Sequence, residues 1–239
     1  MNRGLLSAAL FAALGVTSAD ARLQLSIAAN GSTFSCFDGQ LGCDQSGGAN
    51  NLLLVNTTVG GAFVEIALAQ SAFGAPDSLQ LSSSSIVNQS GAPINIKLVA
   101  SDTNFVGPVA FINESASLTF NDAVGSTAST LQFWADSTNT QGANPNNTPG
   151  VLLDTVTGLP VTDPDSFSGS HTTAFSALSP FSMTEGASLN LITGGSITGF
   201  NQSMTTGIPE ASTWAMMGLG FGLLGLAGWR RNSRPLVTP

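Results

Sequence analysis

The chain has 239 residues, and only 8% of them are charged, against about a quarter in an ordinary soluble domain. Between positions 22 and 207, two bases (Arg22 and Lys97) stand against twelve acids, a net charge of −10. A surface of that sign repels phosphates, which excludes nucleic acid as a partner.

The first 21 residues read MNRGLLSAALFAALGVTSADA. A positive start at Arg3, a short apolar run from Leu5 to Val16 and the small-x-small triplet Ala19-Asp20-Ala21 form a secretory signal peptide, with the cut expected after Ala21. The body therefore begins at Arg22. Export places Cys36 and Cys43, in CFDGQLGC, in an oxidising compartment, where a disulfide is the expected state. Asp38-Gly39 supplies a turn between them. The spacing is longer than Cys-x-x-Cys, and the sequence has no other cysteine and a single histidine to complete a metal site.

From residue 22 to 207 the pattern is that of strands. LQLSIA places Leu23, Leu25 and Ile27 on one face, and INIKLVA does the same with Ile94, Ile96 and Leu98. TLQFWAD aligns Leu131 with Phe133, and SLNLIT aligns Leu189 with Leu191. VEIALA offers Val64, Ile66 and Leu68 with Glu65 facing out; LLLVNTTV and SASLTF are further candidates. Turn formers such as Gly60-Gly61, Gly91-Ala92-Pro93 and Gly194-Gly195 separate them. The expected fold is mainly β, an antiparallel β-sandwich-like exported domain. The polar start of DSTNTQGANPNNTPGVLLDTVTG (136–158) reads as a long exposed loop, with nothing to say whether it binds a ligand.

Few residues suggest chemistry. His171 lies near Asp163 and Asp165, but serine is abundant and no G-x-S-x-G elbow exposes a nucleophile, so no catalytic residue is assigned. Asp163-Pro164-Asp165 lacks the spacing of a calcium loop and reads as a turn. No metal or cofactor is expected. Phe133 and Trp134 are strand neighbours, so one points to the core, and an exposed Trp134 would offer a contact to a sugar ring.

The C-terminal stretch IPEASTWAMMGLGFGLLGLAGWRR contains GFGLLG, which matches a dinucleotide-binding fingerprint. That fingerprint needs a preceding strand, a following amphipathic helix and an acid about 20 residues on; no acid follows Glu210. A membrane helix fits better. Pro209 and Glu210 suit a helix start. The uncharged run 211–229 has nineteen residues, with Trp214 and Trp229 as interfacial anchors and Gly218-x-x-x-Gly222 as a packing seam. Arg230, Arg231 and Arg234 then stop transfer and remain in the cytoplasm.

A Pro-Glu dipeptide, the following STWA, a glycine- and leucine-rich helix and an arginine cluster together resemble the PEP-CTERM protein-sorting signal. The preceding SPFSMTEGASLNLITGGSITGFNQS also looks like the last strands of such secreted proteins. The resemblance implies a Gram-negative bacterium and an exosortase, a transpeptidase-like membrane enzyme, as processing partner. It also implies association with exopolysaccharide or biofilm. Ala211 stands where the motif has its second proline, and eight residues follow Arg231. The expected organisation is a signal peptide (1–21), an exported β-rich domain (22–207), a sorting and anchor segment (208–234, helix about 211–229) and a tail (235–239). The expected function is that of a non-enzymatic exported surface or exopolysaccharide-associated protein, first anchored in the inner membrane. Two alternatives stay open: a carbohydrate- or calcium-binding adhesin, and a secreted hydrolase.

Overall fold

The computed structural model describes residues 22–207, apart from positions 75 and 179, together with Leu219 and Phe221. Twelve strands follow one another: β1 (Gln24–Ala29), β2 (Ser32–Phe37), β3 (Leu52–Val59), β4 (Ala62–Ala72), β5 (Ser78–Asn88), β6 (Ile94–Phe105), β7 (Val109–Asn121), β8 (Ser129–Asp136), β9 (Val151–Gly158), β10 (Asp165–Ala177), β11 (Phe181–Leu191) and β12 (Ser196–Gly207). They form two six-stranded sheets, ordered β2-β1-β6-β11-β8-β9 and β10-β7-β12-β5-β4-β3. Every pairing is antiparallel.

The period-two pattern sets which face is buried. Leu23 just before β1 and Leu25, Ile27, Ile96, Leu98, Leu131, Phe133, Leu189 and Leu191 of the first sheet all lie at 4% exposure or less and share one core with Leu53, Val64, Leu81, Ile112 and Phe120 of the second. Removing one such side chain from water contributes about 1.5–3 kcal/mol, so this interior is the main source of stability.

One strand departs from the expected alternation. Val64 is buried as expected and the Ile66 side chain lies outside the described residues; beyond it Ala67 and Ala69 are buried, and Leu68 is only half-buried. The pairing of β3 with β4 slips by one residue between Val55 and Thr57, which exchanges the two faces of β4. Neighbouring β5 exchanges faces at the same level, burying Ser83 and then Ile86. The hydroxyls of Ser83 and Ser84 donate to the Glu65 carbonyl at 2.9 and 3.1 Å, satisfying backbone that the crease exposes. The serine run of β5 thus has a local structural role.

Two loops are tied down firmly. Cys36 and Cys43 form the expected disulfide, with Gly39 at φ 71° in the turn between them. The Asp44 carboxylate accepts the amides of Gly39 and Ser46, each at 2.8 Å. Partial burial raises the Asp44 carboxyl, but its hydrogen bonds from Ser46, Gly39 and Leu54 outweigh that and hold it below its ordinary value. The second loop, 137–150, joins β8 to β9 and folds back over the outer face of the first sheet. Gln141 Nε2 donates to the Ser101 carbonyl at 2.8 Å, the Gly142 amide to Ser101 Oγ at 3.0 Å, and Ser182 Oγ to the Thr140 carbonyl at 2.8 Å. Gly142 and Ala143 are buried in this contact, so the stretch is not wholly exposed as its polarity suggests.

Candidate functional site

Trp134 occupies the outer face of β8, while its neighbour Phe133 is fully buried on the inner face. Thr184 of β11 pairs with Trp134, and Gly186, two residues on, pairs with Gln132. The indole lies over Gly186: a Cβ there would fall 2.7 Å from Trp134 Cζ3. Glycine at this one strand position is what lets the ring lie down. The half-buried ring then floors a cleft of about 440 Å³ between the sheet and the 137–150 loop.

The cleft walls are polar. Gln132 and Thr130 stand along β8, Ser188 on β11, and Asn146 and Asn147 on the loop. The amides each carry donors and an acceptor, the set a polyhydroxylated ligand requires. Lys97 of β6 closes the far side, its Nζ donating to Asn146 Oδ1 at 3.1 Å. None of the lining residues is acidic. Asp136 fixes the start of the loop by accepting the Thr138 amide at 2.9 Å and the Thr140 amide at 3.2 Å. Burial pushes its carboxyl up, and the bonds from Thr138 and Thr140 more than reverse this, leaving it below its ordinary value. A second depression, of about 320 Å³ and reaching Asn30 and Thr33, shares Lys97 and Asn146 with the first.

The acids of the interior are a separate group. Glu185 is wholly buried between the sheets, facing the backbone of Leu81 and Met204 without a hydrogen bond of ordinary geometry. Burial pushes its carboxyl well above the usual range. Asp102 is raised too, chiefly by burial and against the hydrogen bond it accepts from Ser71 Oγ. Glu114 lies at 1% exposure, opposite His171 on the neighbouring strand. Burial raises Glu114 and the Asp154 charge adds to this; nearby Thr173 and His171 act the other way. Neither carboxyl oxygen of Glu114 forms a hydrogen bond of ordinary geometry.

His171 is not brought to Asp163 or Asp165. It sits six residues along β10 from Asp165, about 20 Å of extended chain. Asp165 accepts the amides of Val161 and Ser166 at 2.8 and 2.9 Å, and Asp163 accepts that of Asp122 at 2.8 Å. Asp165 closes its own turn, and Asp163 ties this loop to the one that follows β7. Among the described residues no group of three histidine, cysteine or acidic side chains is placed to hold a metal ion.

The signal peptide, Pro209 and Glu210, the membrane-helix positions Trp214, Gly218, Gly222 and Trp229, and the arginines 230, 231 and 234 lie outside the described residues. Among the described residues no helix is long and apolar enough to cross a membrane. Lys97, Gln132, Asn146 and Gly186 were not singled out in sequence. The one available signal was that Lys97 is the sole lysine of the chain.

The fold and cleft thus define a two-sheet antiparallel β protein with an aromatic-floored polar groove. Comparison with known families adds the second half: the PEP-CTERM protein-sorting motif matches residues 207–232, and the chain carries that signal. The motif implies export, a membrane-anchored precursor and exosortase processing in a Gram-negative bacterium. A comparison with curated proteins finds no match. Among solved structures, the enzymatically active domain of bacteriophage CBA120 tailspike protein 4 is similar at 12% identity and a TM-score of 0.26, over 63% of this chain and 19% of that one. The isomalto-dextranase of Arthrobacter globiformis T6, complexed with panose, is similar at 11% identity and a TM-score of 0.25, over 64% of this chain and 23% of that one. The matched regions are thus about a fifth of those proteins.

Proposed function

We propose that this is a non-enzymatic exported protein of the cell surface or extracellular matrix, sorted by an exosortase and associated with exopolysaccharide. The observation that carries the reading is the sorting motif at 207–232, which begins at the last residue of β12. Export is supported by the N-terminal signal pattern and by the disulfide. In this reading Pro209 and Glu210 form the recognition dipeptide, 211–229 the retaining helix, and Arg230, Arg231 and Arg234 the stop-transfer charge. Support for a non-enzymatic role comes from the titratable groups. Glu185 and Asp102 are sealed between the sheets, and the turn aspartates spend their lone pairs on backbone amides.

The test uses the full chain in its producing cell. Deleting 208–239 is expected to release the body into the medium. Glu210→Ala is expected to leave membrane insertion intact and block sorting, so that the full-length form accumulates in the inner membrane. Processing of Glu210→Ala at the wild-type rate refutes the sorting role of the dipeptide. The carbohydrate-binding adhesin remains as the second reading, and the Trp134 cleft favours it.

A further inference from the structure

We propose that the outer face of the first sheet binds an acidic polysaccharide, a sugar chain bearing uronate carboxylates, with Trp134 as stacking floor and Lys97 as carboxylate partner. The inference rests on the exopolysaccharide-associated reading above and names the chemistry of its ligand.

The floor is preorganised. The indole is laid over Gly186 and gains its orientation from β11 rather than from a ligand, so little freedom is lost when a sugar ring stacks on it. The rim supplies planar amides from Gln132, Asn146 and Asn147, which can donate to and accept from ring hydroxyls. No large apolar wall is present to suit a lipid or an apolar peptide.

Charge selects the sugar. Two bases stand against twelve acids between 22 and 207, yet one of those two bases lines this cleft and no acid does. The Lys97 ammonium is held by the Asn146 amide rather than by a carboxylate. One of its three N–H groups is used there, which leaves donors for an incoming anion. A single cation suits a chain with sparse carboxylates; a nucleic acid, with a phosphate at every step, needs many.

The groove also has length. The two depressions meet at Lys97 and Asn146 and cross the sheet from β8 through β11, β6 and β1 to β2. Four inter-strand steps span roughly 19 Å, which accommodates a run of sugars rather than a single ring. Lys97 lies at the middle of that path, where the carboxylate of an interior residue would fall.

Titration calorimetry of the full-length protein in detergent, at low salt, provides the test. The probes are an oligomer of galacturonate and a neutral glucose oligomer of equal length. The uronate oligomer should bind the more tightly. Lys97→Gln should weaken it about tenfold and leave the neutral oligomer unchanged. Trp134→Ala should weaken both by more than about tenfold. Gly186→Ala, which pushes the indole off its seat, should weaken both while the circular dichroism spectrum stays that of the wild type. Uronate binding that is indifferent to Lys97→Gln, or a neutral oligomer bound as tightly as the acidic one, overturns the proposal. Co-sedimentation with the producing cells' polysaccharide separates the two levels of argument. Wild-type co-sedimentation unaffected by Lys97→Gln and Trp134→Ala overturns this site and leaves the exopolysaccharide association standing. Failure of the wild type to co-sediment refutes that association itself.

Discussion

The two sheets bury their inner faces by the same alternation, but their outer faces are built differently. On the second sheet the exposed rows are amides and hydroxyls that bond to one another: Gln80 to Asn201 at 3.0 Å, Thr172 to Asn113 at 2.8 Å, Ser166 to Thr119 at 3.0 Å. A shallow depression of about 570 Å³ lies there, larger than the Trp134 cleft, but it has no aromatic or basic lining residue other than His171. On the first sheet a fourteen-residue loop (137–150) folds over the strands and encloses a tryptophan and a lysine. Volume does not make the difference. A fixed aromatic floor and an unbalanced charge do: polar side chains bond to one another on both outer faces, as Asn95 does to Ser188 at 2.8 Å on the first, and such groups gain little from a ligand.

The sharpest way to break this comparison uses neighbours on one strand. Phe133→Ala, on the inner face, should cost about 3–5 kcal/mol of unfolding free energy in denaturant titration. Trp134→Ala, on the outer face, should cost less than about half of that. Equal losses would mean that Trp134 is a core residue and the cleft is incidental.

Removing the disulfide as the Cys36→Ser, Cys43→Ser pair should cost about 2–3 kcal/mol, the loop-entropy value for so short a ring. That loss should leave the outer face of β8 and β11 unchanged, and matching near-ultraviolet tryptophan signals in the two forms would confirm it.

The buried acids predict a pH dependence opposite in sign to that of the loop acids, which act in a lower pH range. Glu185 stays protonated in the folded chain above its ordinary value of 4.5, where the unfolded chain has released its proton. Raising pH from 4.5 toward neutrality therefore favours unfolding, by up to about 1.4 kcal/mol per pH unit for this group. Glu185→Gln should flatten that slope in melts between pH 4.5 and 7, and a variant as steep as wild type would contradict the assignment. Asp44 and Asp136, held low, act in the opposite sense: their stabilisation is present above 3.8 and lost as pH falls below it.

The smallest expected effect is on the loop. Gln141→Ala removes the bond to the Ser101 carbonyl and should cost about 1 kcal/mol or less. Exchange of the amides in 138–148 should quicken while those of β6 and β11 stay protected.

Strands whose apolar residues alternate could be read from sequence, since Leu131 and Phe133 or Leu189 and Leu191 have no other way to share a face. The crease at Glu65 could not, because a one-residue slip is a property of paired strands and leaves no mark on one of them alone. In β10 the apolar signal is interrupted: Phe167 and Phe175 pack on the core, but Gly169, His171 and Thr173 between them carry none. Of the cleft, only Trp134 was legible. Gln132, Gly186 and Lys97 come from three different strands, and the 137–150 loop reaches them through bonds some forty residues apart in sequence. The sorting signal, by contrast, is a contiguous pattern and was read directly.

Mass spectrometry of the protein recovered from the surface and medium of producing cells tests the central claim most directly. An exported, exosortase-sorted protein should begin at Arg22, end at or before the Pro209-Glu210 region, and lack the peptides of 211–239. Recovery outside the cell of a chain running intact through Trp229 to Pro239 would contradict it.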